Sequence, residues 1–156
     1  MASDAEIDFV KAAVEWLRAE RPEGFPETAE RKGNEGTAEI KILAEADLDP
    51  KKRPCLVILS DGSGRPHPKL VQFSISVDFA YPLDDFDEAT VKGWARSVAA
   101  VFEDRYLTAE KVQEHLEILG SRWKIRDIRP DAGSAEDEGR RSRMLSDSWR
   151  VWMVRS

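Results

Sequence analysis

An α+β fold, with a mostly antiparallel sheet of four to five strands and two main helices packed on one face, is what this sequence predicts. Three observations carry that expectation. Val71, Phe73, Ile75, Val77 and Phe79 alternate with Gln72, Ser74, Ser76 and Asp78, which is strict period-two patterning. Two stretches, residues 4–20 and 87–104, repeat their apolar residues at helical spacing instead. The chain closes on Trp149-Arg150-Val151-Trp152-Met153-Val154, a run of β-branched and aromatic residues. With 156 residues the chain has the size of a single domain, with a polar loop at 21–36 and a protruding polar arm at 130–146.

Each element follows in order. Ser3 and Glu6 form a capping box, and Ile7, Val10, Val14 and Leu17 then make one stripe, so residues 4–20 are expected as a helix. Pro22, Gly24 and Pro26 end it, and the mixed polar stretch to Gly36 reads as a surface loop. Ala38, Ile40 and Ile42 share one face of a short strand, suited to a sheet edge, over 37–43. Cys55-Leu56-Val57-Ile58-Leu59 is continuously apolar and short, as a strand covered on both faces would be. With the alternating run at 70–79 it makes a hairpin whose tip is the turn-rich Asp61-Gly62-Ser63-Gly64-Arg65-Pro66-His67-Pro68.

The second helix, residues 87–104, starts behind acidic Asp84, Asp85 and Asp87, where a helix amino terminus favours negative charge. Its stripe is Val91, Trp94, Ala95, Val98, Val101 and Phe102, and Gly93 within it suggests a close approach to the sheet. The stretch around Thr108 fits a short capped turn or the start of a strand. Residues 116–129 read mainly as a strand bent at Gly120. Residues 130–146 are too polar to pack and read as a hairpin arm or a loop that orders on binding.

Of the residues, 41% are hydrophobic and 35% charged, too apolar for disorder throughout and too broken by charge for a membrane span. No basic and apolar leader opens the sequence, so no secretory signal is expected. Cys55 stands alone and can close no intrachain disulfide. The net charge of −6 is unevenly spread: residues 1–121 carry 24 acids and 15 bases, residues 122–156 carry 6 acids and 9 bases. An acidic body disfavours specific nucleic-acid binding, which needs clustered Lys and Arg, and suits contacts with a partner of opposite local sign.

No reactive constellation emerges. Ser60, Ser63 and Cys55 have no base beside them in sequence, since His67 and His115 are placed by nothing in the pattern. The two histidines lack a partner at ligand spacing, so neither a metal nor a cofactor is expected, and no catalytic residue either. Gly62-Ser63-Gly64 lacks the Lys-Ser/Thr ending of a phosphate loop. The one enzyme alternative is a metal-dependent nuclease using Glu39 and Lys41, an acid-x-Lys step on a strand, but no upstream acid is held by a strand to share the metal. On the final strand Trp149, Val151 and Met153 point one way while Trp152 and Val154 point the other. An apolar second face there implies cover by a helix or by another subunit.

The amino-terminal amphipathic helix, the turn-rich hairpin ending in Leu70-Val71-Gln72-Phe73-Ser74-Ile75-Ser76-Val77-Asp78, the helix Glu88 to Glu103 and two closing strands resemble the tail terminator and tail-completion proteins of tailed bacteriophages. The resemblance is one of element order. It implies a virion protein, assembled in the bacterial host cytoplasm, that forms a ring, hexameric in the family's manner, capping the tail tube and joining it to the head connector. It implies no catalytic residue, cofactor or membrane association. The charge split then points to the basic residues Arg122, Lys124, Arg126, Arg140, Arg141 and Arg143 meeting Asp84, Asp85 and Asp87 of an adjacent copy. The competing expectation is a monomeric or dimeric adaptor or immunity-type module using the same exposed strand and arm.

Overall fold

A computed structural model describes residues 3–32, 36–44, 54–60, 69–82, 86–138 and 142–155, without the side chains of 82, 131–138 and 142–146. Helix α1 (Asp4–Ala19) opens with the expected capping box: the Ser3 hydroxyl accepts from the Glu6 N–H, and Glu6 Oε2 accepts from the Ser3 N–H at 2.7 Å. Its buried arc is wider than the stripe read from sequence, taking in Phe9, Ala13 and Trp16 beside Val10, Val14 and Leu17. The width follows from two neighbours, because α1 packs on both the sheet and another helix. Ile7 falls at the edge of that arc and is 42% exposed.

Two short strands, β1 (Thr28–Glu30) and β2 (Thr37–Glu39), pair antiparallel with Thr28 opposite Glu39. β1 and the buried Phe25 lie within the stretch read as a polar loop. Phe25 meets Phe79 edge to face at 6.0 Å, and the Arg21 guanidinium covers it while donating to the carbonyls of Pro26 and Ile40. A bond from the Ile40 N–H to the Glu27 carbonyl interrupts the run at 37–43, so β3 (Lys41–Ala44) is a separate strand belonging to the main sheet.

That sheet continues through β4 (Cys55–Ser60), β5 (Leu70–Pro82), β6 (Trp123–Glu138) and β7 (Ser142–Arg155), in the order β3-β4-β5-β7-β6. β3 runs parallel to β4, and every other pairing is antiparallel, so the fold is α+β with a mixed, mostly antiparallel sheet. The residues 130–146 contribute to a hairpin: β6 and β7 pair out to Glu138 opposite Arg143, and β7 continues against β5 to Ser142 opposite Pro82.

The described residues form three helices rather than two. After α2 (Glu88–Glu103), residues 105–119 form α3 (Arg105–Leu119). Asp104 caps it by accepting from the Leu107 N–H, and Gly120 closes it in the left-handed region at φ 73°. The bend expected at Gly120 within a strand is therefore a helix carboxyl cap, and residues 116–119 are helical. α3 was hard to read because its buried stripe is only Thr108, Val112 and Leu116 among charged neighbours. Thr108 caps nothing; its buried hydroxyl donates to the Val101 carbonyl and ties α3 to α2.

The helices cover one face of the sheet, where Val71, Phe73, Ile75, Val77 and Phe79 alternate inward as expected. Aromatic contacts knit the layers together: Phe9 against Phe73, Trp16 against Phe102, Phe102 against Trp149, and Trp94 against both Phe79 and Phe86. On the opposite face Leu43, Cys55, Val57 and Ala80 form a second buried cluster, as the apolar run at 55–59 predicted. Gly93 does not mark a close approach: it is exposed, and a Cβ added there meets nothing within 4 Å. Gly93→Ala should raise stability by about 0.5–1 kcal/mol, read as a higher urea midpoint at unchanged m.

One acid sits awkwardly in this packing. Asp147 occupies the helix-covered face opposite Val77, beneath the end of α2, where burial, Glu103 and Asp78 all push its carboxyl pKa up. A raised folded-state pKa means that the native protein holds this proton more tightly than the unfolded chain does. The favourable contribution is full at low pH and is lost as pH rises through the raised value. Asp147→Asn should therefore raise the melting temperature at neutral pH, and the gain should vanish in acid.

Candidate functional site

Among the described residues, cations gather on the face of the β5–β7–β6 ribbon that the described helices leave uncovered. On β7, Arg150, Trp152 and Val154 alternate away from the helices; on β5, Leu70, Gln72 and Ser74 lie opposite them. On β6 the facing residues are Lys124, opposite Val154, Asp127, opposite Trp152, and Arg129, opposite Arg150. A bulge between Ile125 and Asp127 leaves Arg126 as the extra residue and reverses the alternation, which is why both Lys124 and Arg129 reach this face.

Together Leu70, Arg126, Asp127, Arg129 and Trp152 line an open groove of about 470 Å³. Asp127 organises it. One carboxylate oxygen accepts from the Ile128 N–H at 2.9 Å and the other from Arg129 Nε at 2.7 Å, which holds the Arg129 guanidinium 5.8 Å from the Trp152 ring centroid. Leu70 is 43% exposed and Trp152 half-buried. Arg129, held by Asp127, stands directly across from Arg150, so two guanidinium groups share this face.

Strand β6 forms one edge of the sheet, yet its first half is closed to strand addition. The Trp123 N–H bonds the Ser121 hydroxyl, the Ile125 N–H bonds Gln113 Oε1 of α3 at 2.9 Å, and the Ile128 N–H bonds Asp127. Pro130 follows and has no N–H to offer. This end of the sheet therefore presents the side chains of its face and not an open backbone edge.

The residues singled out by charge are placed as follows. Lys124 and Arg126 lie on the uncovered face, and Arg122 is exposed in the turn just before β6. Arg143 lies on β7 opposite Tyr81, at the far end of the ribbon from Lys124; eleven residues of strand separate Arg143 from Val154, roughly 35 Å. Arg140, Arg141, Asp84 and Asp85 lie outside the described residues. Asp87 precedes α2 at the end where β5 finishes, and its carboxylate takes a 2.5 Å bond from Lys32, raising the Lys32 pKa. The structure thus brings Lys124 and Arg126 together, sets Arg143 apart from them, and gives Asp87 a partner within the chain.

Arg129 and Leu70 complete the groove, and Arg150 lies on the same face opposite Arg129; none of the three was singled out from the sequence. Alternation on the final strand set Trp152 and Val154 on this face, but only the strand order puts them, with Arg150, next to Leu70 and Arg129. Glu39 ends β2 and Lys41 begins β3, in different sheets. Among the described residues no group of three His, Cys, Asp or Glu could hold a metal, and no helix is long and apolar enough to cross a membrane. Ser63 and His67 lie outside the described residues.

These features define an α+β sheet protein with one face under helices and the other bearing a cationic, aromatic groove. No protein-family model matches the chain, and no curated protein sequence matches it.

Proposed function

We propose that this chain is a structural assembly subunit of the head-to-tail joining kind: a virion protein that forms a ring on the end of a phage tail tube and meets the head connector. The observation that carries this reading is the contrast between two surfaces. The uncovered face holds Lys124, Arg126, Arg129 and Arg150 around the half-buried Trp152, on a chain whose net charge is −6. Such a face seeks an acidic, partly apolar surface, and the rest of the same chain offers acidic ones. Contact between two unlike patches is the geometry that closes a ring.

The reading also takes up the element-order resemblance to tail terminator and tail-completion proteins, to which α3 is an added helix. The test uses tail tubes assembled without a terminator. Purified chain added to them should decorate one end of each tube as a ring in negative-stain images. A chain that stays monomeric and leaves tube ends bare, while binding some other soluble protein one to one, would establish the adaptor reading instead.

A further inference from the structure

We infer that the groove beside Trp152 receives the carboxyl-terminal tip of α3 from a second copy of this chain. The inference rests on the ring reading above and names the two surfaces that meet. The tip is an apolar knob with an acidic rim. Ile118 is 78% exposed and Leu119 45%, an unusual position for two large aliphatic side chains at a helix end. Glu114 and Glu117 are exposed beside them, one turn and one residue before Ile118.

The last turn of α3 contains no Lys or Arg, so the partial negative charge of the helix terminus adds to the two carboxylates. The knob is also held rigidly. Gly120 closes the helix, and the next residue, Ser121, donates to Asp8 of α1 at 2.7 Å. Little freedom is lost when such a knob docks.

The groove is its complement in both respects. Leu70 and Trp152 form an apolar floor, and Arg126 and Arg129 border it, with Lys124 next along β6. Ile118 fits the floor while Glu114 and Glu117 meet the cations. The two surfaces cannot meet within one chain. Val112 and Leu116 anchor α3 in the core on the helical side of the sheet, whereas the groove opens on the other side. Each copy therefore offers a knob to one neighbour and a groove to the next, which is a heterologous contact.

The experiment is a charge exchange read by analytical ultracentrifugation of the full chain, alone and with tube ends. One variant carries Arg126→Glu and Arg129→Glu, the other Glu114→Arg and Glu117→Arg. All four positions are exposed, so both variants should fold normally by circular dichroism. Each alone should associate at least about tenfold more weakly than the parent, because its knob and groove now carry like charge. An equimolar mixture should regain assembly, since each variant's groove matches the other's knob, and the species formed should hold the two in alternation.

If each variant alone assembles as the parent does, the contact is elsewhere and the ring reading stands without it. If the mixture fails to recover what both variants lost, the pairing of these surfaces is wrong. If the parent neither self-associates nor forms rings on tubes, both the ring reading and this contact fall. Binding of a short single-stranded oligonucleotide by the parent, lost with Arg126→Glu and Arg129→Glu while association is unchanged, would assign the groove to nucleic acid and overturn the inference.

Discussion

Phe79→Ala should destabilise the protein by about 3–5 kcal/mol, the largest loss expected from any single truncation in this core. Phe79 is 1% exposed on β5 and touches three aromatic rings, each with its centroid 6.0 Å away: Phe25 from the segment after α1, Tyr81 two residues along the strand, and Trp94 from α2. Three separate parts of the chain are held in register by one ring. Removing it opens a cavity that the partners cannot all close, since Trp94 is also packed on Phe86 and Phe25 lies beneath Arg21. A domain of this size has a total stability of about 5–15 kcal/mol, so the variant should unfold at a much lower urea concentration. Phe79→Leu, which refills most of the volume, should cost roughly half as much. A loss below about 1 kcal/mol for the alanine variant would mean that these contacts are not the centre of the core.

The β5 pattern that places Phe79 in this position was plain in the sequence, and the reason is physical. A strand with one buried and one polar face writes its orientation into every second residue, and Val71 to Phe79 do so without a break. The capping box at Ser3 and Glu6, and the stripe Val91, Trp94, Val98 and Phe102, were equally plain because local chemistry and burial agree there. α3 was not, because a helix on the flank of a domain buries one residue per turn and leaves the rest to solvent. The groove was half legible. Trp152 facing away from Trp149 follows from alternation alone, but Arg129 joins it through the bulge at Arg126, and a bulge has no signature in a single sequence. Leu70 joins it only because β7 inserts between β5 and β6, a choice of strand order that periodicity does not encode.

Trp152→Ala should separate the fold from its use. The ring is half-buried on the uncovered face, its neighbours across the strands are Gln72 and Asp127, and no described helix covers it. Its removal should lower stability by about 1 kcal/mol or less, the scale of a lost cross-strand pair. Its effect on association should be far larger. An aromatic residue at the centre of a cation-rimmed contact is the type that dominates interface energies, commonly by 2 kcal/mol or more, which is about a thirtyfold weakening. The variant should therefore melt close to the parent yet sediment as a smaller species at equal concentration. Trp152→Phe should retain part of the association, because the apolar floor survives while the larger indole face offered to Arg129 does not. The opposite result, a large drop in melting temperature with association intact, would make Trp152 a packing residue whose partly open position serves the sheet alone. The two outcomes differ in which measurement moves, so one pair of experiments on one variant decides whether this face belongs to the monomer or to its neighbour.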